Sequence, residues 1–158
     1  MRLYSQRRRG ESGASAVEFA LVLVPFLILV FGVIQFGYYF FSMQTGTYAV
    51  QQGVRRISVG DCTSNAALKT YLKNRLGAST TSTASALSPT VTYTKASDGT
   101  TYSDPTTGNV GDSVKLTLSF PTLNFHFPFI PVPNGGTVTR SSTGVLENTT
   151  VSNQCPTT

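Results

Sequence analysis

Formal charge is scarce in this 158-residue chain: Asp, Glu, Lys and Arg make up only 12% of it, and none lies between Phe19 and Val54. Mean hydropathy is close to zero, at +0.02, because an apolar block and a Ser/Thr-rich block cancel. Six of the ten phenylalanines fall between Phe19 and Phe41, whereas 16 of the 31 residues from Ser79 to Asn109 are Ser or Thr. Such segregation excludes a soluble enzyme built around one central core and points to a membrane segment carrying an exported region. Histidine occurs once, at His126, which rules out a multi-histidine metal site. Cysteine occurs twice, at Cys62 and Cys155, with no CxxC pair and no adjacent histidine, so a zinc site is not expected. GxGxxG, phosphate-binding-loop and GxSxG motifs are missing. Asp98, Asp104 and Asp112 are spaced too irregularly for an EF-hand loop. The expectation is therefore no catalytic residue, no cofactor, no metal and no small-molecule substrate. Serine–lysine chemistry through Lys69 or Lys73 is the residual enzymatic reading.

What the chain does have begins with Phe19–Phe41, FALVLVPFLILVFGVIQFGYYFF, whose only strongly polar side chain is Gln35. As a helix at about 1.5 Å per residue it spans about 35 Å, enough for a hydrocarbon core of about 30 Å. A basic arm precedes it: Arg2, Arg7, Arg8 and Arg9 against Glu11. With Tyr38 and Tyr39 at the far end, the positive-inside rule expects the N-terminus in the cytoplasm and the C-terminal region exported. Because this arm carries much of the net charge of +5, the basicity reads as membrane anchoring rather than a nucleic-acid surface. Pro25 removes a backbone donor, so a kink or local unwinding is expected near residues 21–25. Gly32 and Gly37 permit close helix approach but are not spaced as GxxxG.

Glu18 stands at the start of the apolar run, where a carboxylate is unfavourable unless paired or neutralised. The stretch RRRGESGASAVEFALVL sets a basic arm and Gly13 ahead of it. Cleavage after Gly13 would leave Ala14 with a new α-amino group and Glu18 as the fifth residue. Gly10 is the competing cut site, but it would put Ser15 in that place. This arrangement resembles the type IV prepilin signal. The Glu18-Phe19 pair after Ala-Val is more specifically similar to TadE-like pseudopilins of the tight-adherence (Flp pilus) system. The resemblance runs over residues 7–58, including FGVIQFG and QTGTYAVQQGVRRISV, and more loosely through Ser119-Phe120-Pro121 and Val138–Ser141. Family members commonly carry an acid where Gln35 stands. The resemblance implies an inner-membrane chain cut by a prepilin peptidase, with other minor pilins or pseudopilins as partners. In it, Glu18 would set register against the liberated amine of a neighbouring copy. The competing readings are a permanently anchored assembly factor that is never cleaved, a plain signal anchor, and an anchored periplasmic enzyme or ligand-binding domain.

The expected organisation is a cytoplasmic leader over 1–13, a transmembrane and stem helix over 14–58, and a periplasmic α+β head over 59–158, pilin-like, with a second helix and an antiparallel sheet of three or four strands. Met43, Thr47, Val50, Val54 and Ile57 repeat at helical spacing, for packing on the head or on a neighbour. Asn65–Leu76 predicts the second helix, capped by Ser64 or Thr63, with Leu68, Tyr71, Leu72 and Leu76 inward and Lys69, Lys73 and Arg75 solvated. Residues 78–88 read as a Ser/Thr/Ala-rich linker or loop. Strands are expected at Thr90–Lys95, Thr100–Ser103, Ser113–Phe120 and from Thr137 onward, with Pro121, Pro128, Pro131 and Pro133 breaking the stretch between. Phe125, Phe127 and Phe129 alternate within that stretch, as an exported sticky patch or as cover for the sheet. Pairing of Cys62 with Cys155 is reasonable in an oxidising periplasm and would tie the tail to the end of the long helix.

Overall fold

The computed structural model describes residues 11–150 and Cys155. The arginines of the basic arm, and Gly10, lie outside the described residues.

Helix α1 is a single 48-residue element, Glu11–Ser58. It is long and apolar enough to cross a membrane. It continues through Pro25 without interruption, so no turn is unwound there. A positive-φ Gly60 turns the chain out of the helix, and Arg56 reaches Asp61 at 3.5 Å across that turn.

Helix α2 is Asn65–Leu76, and Leu68, Tyr71, Leu72 and Leu76 are its buried face. Ser64 occupies the cap position without a side-chain bond to the helix; its carbonyl accepts from the Leu68 N–H at 2.9 Å instead. Lys73 is not simply solvated. Its Nζ donates to the Gly77 and Thr80 carbonyls at 3.4 and 3.3 Å, in the chain just past the helix.

Four strands follow: β1 Thr90–Thr94, β2 Thr101–Tyr102, β3 Ser113–Pro121 and β4 Thr137–Val145. They form one antiparallel sheet in the order β2-β1-β3-β4. Strict alternation along β3 puts Val114, Leu116, Leu118 and Phe120 on the covered face. The C-terminal half of α1 lies on that face and α2 packs beside it, so the core is one layer between helices and sheet. The fold is α+β.

Glycines set how closely α1 approaches the sheet. A methyl at Gly53 would fall 2.7 Å from Leu116 Cδ2 and one at Gly46 2.7 Å from Phe120 Cε1, while one at Gly144 in β4 would fall 2.5 Å from Val54 Cγ1. Gly32 and Gly37, by contrast, have nothing within 4 Å. Cys62 and Cys155 are joined by a disulfide with a Cα–Cα distance of 4.6 Å.

Candidate functional site

Two regions of α1 carry chemistry: its first turns and the junction where stem meets head. In the first turns, Gly13 through Phe19 are all exposed. The Gly13–Ala14 bond lies inside the helix, which starts at Glu11. Ala14 and Glu18 are four residues apart and so share one helix face, about 6 Å along the axis. Among the described residues, no ion pair reaches Glu18, since Arg56–Asp61 is the bridge formed there. Phe19, 67% exposed, and Leu21, 71% exposed, continue an apolar surface that nothing among the described residues covers.

The junction is built on Gln35, Tyr38 and Ser42, spaced three and four residues apart along one face. Gln35 is fully buried although it sits within the apolar run. Its Nε2 donates to the Leu123 carbonyl at 3.3 Å, and its Oε1 accepts the Phe125 N–H at 3.1 Å. The Tyr38 hydroxyl donates to the Ala78 carbonyl. Ser42 Oγ reaches the Ser79 carbonyl at 3.0 Å and Thr122 Oγ1 at 2.7 Å. Thr80 Oγ1 completes the seam by donating to the Pro121 carbonyl at 2.8 Å. The Ser/Thr-rich segment, expected as a linker or loop, is a packed loop: Ser79 and Thr80 are buried and Leu87 belongs to the core. Small hydroxyls let this backbone lie against the helix while satisfying its carbonyls.

The Phe-rich stretch packs on α1 rather than covering the sheet, and it leaves Phe129 90% exposed. Phe127 stacks on Phe31 of α1 with ring centroids 4.6 Å apart, Phe125 meets Tyr38 edge-on at 5.6 Å, and Phe125 and Phe127 stack at 5.5 Å. The loop thus runs down along the apolar helix, away from the head core.

In the head, Asp112 is the most heavily bonded carboxylate. It accepts N–H bonds from Ala96 at 2.9 Å and Asn109 at 3.0 Å, and the Tyr102 hydroxyl at 2.8 Å. These bonds, the Asn109 N–H foremost, hold its carboxyl below the usual range. Burial pushes the neighbouring Tyr93 and Tyr102 phenols up to about 12. This arrangement ties the β1–β2 turn and the β2–β3 loop to strand β2. Lys69 and Ser85 line one open hollow of about 580 Å³ beside α2, but the Ser85 hydroxyl is engaged by Thr83 Oγ1 at 3.0 Å. No cluster of three metal-ligating side chains occurs among the described residues.

Residues 13–55 match the TadE-like protein family. The match opens at Gly13 and closes three residues before α1 ends, so it covers the helix and leaves α2 and the sheet outside. No curated protein and no solved structure matches the chain. A TadE-like helix suggests involvement in a tight-adherence (Flp) pilus system, and its length and apolarity suggest membrane anchoring.

Sequence reasoning missed Gln35, Tyr38 and Ser42 as a set. Their spacing within a run otherwise poor in polar groups was the available signal, but the loop carbonyls they satisfy come from chain 37 to 88 residues away.

Proposed function

We propose that this chain is a minor pilin or pseudopilin of a tight-adherence (Flp) pilus system, cut after Gly13 by a prepilin peptidase. Its N-terminus lies in the cytoplasm, its stem in the inner membrane and its head in the periplasm. The chain is a peptidase substrate, not a catalyst. The observation that carries the reading is the TadE-like match opening at Gly13, with the exposed Glu18 five residues further on. After cleavage the Ala14 amine is a cation at neutral pH, and an adjacent copy's Glu18 neutralises it, fixing axial register between stems. Phe19 and the apolar surface after it supply helix-to-helix packing, and Pro25 gives the stem a place to bend. The head, outside the family match, meets the other minor subunits.

One observation favours the uncleaved assembly factor instead: the Gly13–Ala14 bond is helical, and a peptidase needs it opened. Mass spectrometry of the N-terminus of membrane-extracted protein decides between them. A chain starting at Ala14 supports processing, and intact Met1–Gly13 defeats it. Glu18→Ala then tests register: unchanged cross-linked neighbours and normal piliation would remove the carboxylate from the mechanism.

A further inference from the structure

The loop between β3 and β4 leaves the head and returns along the apolar stretch of α1. From Leu116 to Thr139 there are 24 residues without Asp, Glu, Lys or Arg. The loop's aromatic rings lie where a lipid boundary is expected. If Glu18 marks one edge of the hydrocarbon, about 30 Å of core reaches about 20 residues along α1, to near Tyr38. Phe31, on which Phe127 stacks, then sits about 10 Å inside the boundary on the head side, and Gln35 about 5 Å inside.

Irregular backbone survives at such depth only when its polar groups are satisfied. Here several of them are. Gln35 takes both the Leu123 carbonyl and the Phe125 N–H. Asn124 Oδ1 accepts the His126 N–H at 2.8 Å, and the Ile130 N–H reaches the Phe127 carbonyl at 3.4 Å. Pro128, Pro131 and Pro133 have no N–H to satisfy. Outward from this braced backbone, Phe129 is 90% exposed, with Phe125 and the edge of Ile130 beside it. A fully exposed phenylalanine at the tip of a proline-stiffened loop, continuous with an apolar helix, has the shape of a wedge.

The geometry points to a second membrane contact: the 123–132 loop inserts its phenylalanines into the lipid leaflet facing the head, with Gln35 as the internal brace that makes insertion possible. The occupant of this surface is lipid acyl chain rather than another protein. Insertion would fix the rotation of the head about the stem, because one side of α1 carries the loop and the other does not. The inference rests on the membrane-anchored reading of α1 and is independent of cleavage after Gly13.

The chain contains no tryptophan, so single replacements report cleanly. The full chain is reconstituted into vesicles of phosphatidylethanolamine and phosphatidylglycerol bearing brominated acyl chains. Phe129→Trp reads the loop, Ile130→Trp repeats the reading at a second site, and Phe26→Trp reads the stem. Insertion predicts blue-shifted emission at all three. Loop probes should lose about half their intensity to shallow bromines, as befits a depth of 5–10 Å, and the stem probe should respond to deep ones. A quenched stem with red-shifted, acrylamide-accessible loop probes overturns insertion while leaving anchoring intact. Loop probes that are blue-shifted but untouched by bromine show protein cover, such as a second copy, and overturn the lipid assignment. An unquenched stem overturns the anchored reading and the insertion together.

Discussion

The two halves of α1 belong to one uninterrupted helix yet were written for different solvents. In the first half, Val17 and Leu21 are 61% and 71% exposed, and the glycines at 32 and 37 face open space. In the second half, Ala49 and Val50 are fully buried, and Gly46 and Gly53 are pressed against Phe120 and Leu116. The first half is apolar all round, the pattern of a helix that water does not touch. Beyond Ser42 the apolar positions narrow to the side that meets the sheet. A helix can therefore be apolar for two reasons, and the difference shows in what its small residues touch.

The sharpest way to separate the halves is to cut the head's covalent tie. Closing a 93-residue separation stabilises by about 4–5 kcal/mol in the chain-entropy account. Cys155→Ser should lower the head's unfolding free energy by about that much, leaving the helix signal of the stem in place. Denaturant titration in detergent, comparing near-UV and far-UV dichroism, reads the two parts separately.

Next in size is a paired glycine test. Gly53→Leu forces the sheet off the helix and should cost about 2–3 kcal/mol of head stability. Gly32→Leu should change it by less than about 0.5 kcal/mol, as expected of a substitution far from any packed contact. Equal effects would erase the distinction between the halves.

The head should also respond to pH. Asp112 titrates below its unfolded value because the folded state binds its carboxylate. Its contribution is therefore full above about pH 4 and is lost as pH falls through the depressed folded value. Tyr93 and Tyr102 are raised to about 12, so theirs is full below about pH 10 and is lost as pH rises from there toward 12. Thermal melts across pH should show both limbs, and Asp112→Asn should flatten the acid one.

The smallest expected change is of opposite sign. The Tyr71 hydroxyl is buried with no hydrogen-bond partner among the described residues. Tyr71→Phe relieves that desolvation and should raise head stability by up to about 1 kcal/mol. A loss would reveal a partner for the hydroxyl.

Much of this architecture was legible because it is local. The α2 boundaries follow from the spacing of Leu68, Leu72 and Leu76 and from Gly77, and β3 from the alternation of Val114 to Phe120. The end of α1 near Ser58 was readable for the same reason. The stripe from Met43 to Ile57 was legible as a stripe but not as a seam with the sheet. The glycines that matter for close approach, Gly46, Gly53 and Gly144, carry no periodic signature that separates them from Gly32 and Gly37. The foot of the helix was legible as a Gly13–Glu18 arrangement from residue order alone, since its chemistry depends on sequence spacing.

Hydrophobic run length, charge placement and short-range periodicity are properties of neighbouring residues, so the chain's order by itself determined the long helix, the second helix, the main strand and the TadE-like segment. Which face of α1 meets the sheet, and the descent of the 123–132 loop onto Phe31, were decided only in three dimensions. The disulfide partnership, though guessable from two cysteines, also needed the folded chain to bring positions 62 and 155 together. Each of those contacts joins residues about 65 to 95 positions apart, and the burial that stabilises it is a property of the assembled surface rather than of either strand of sequence.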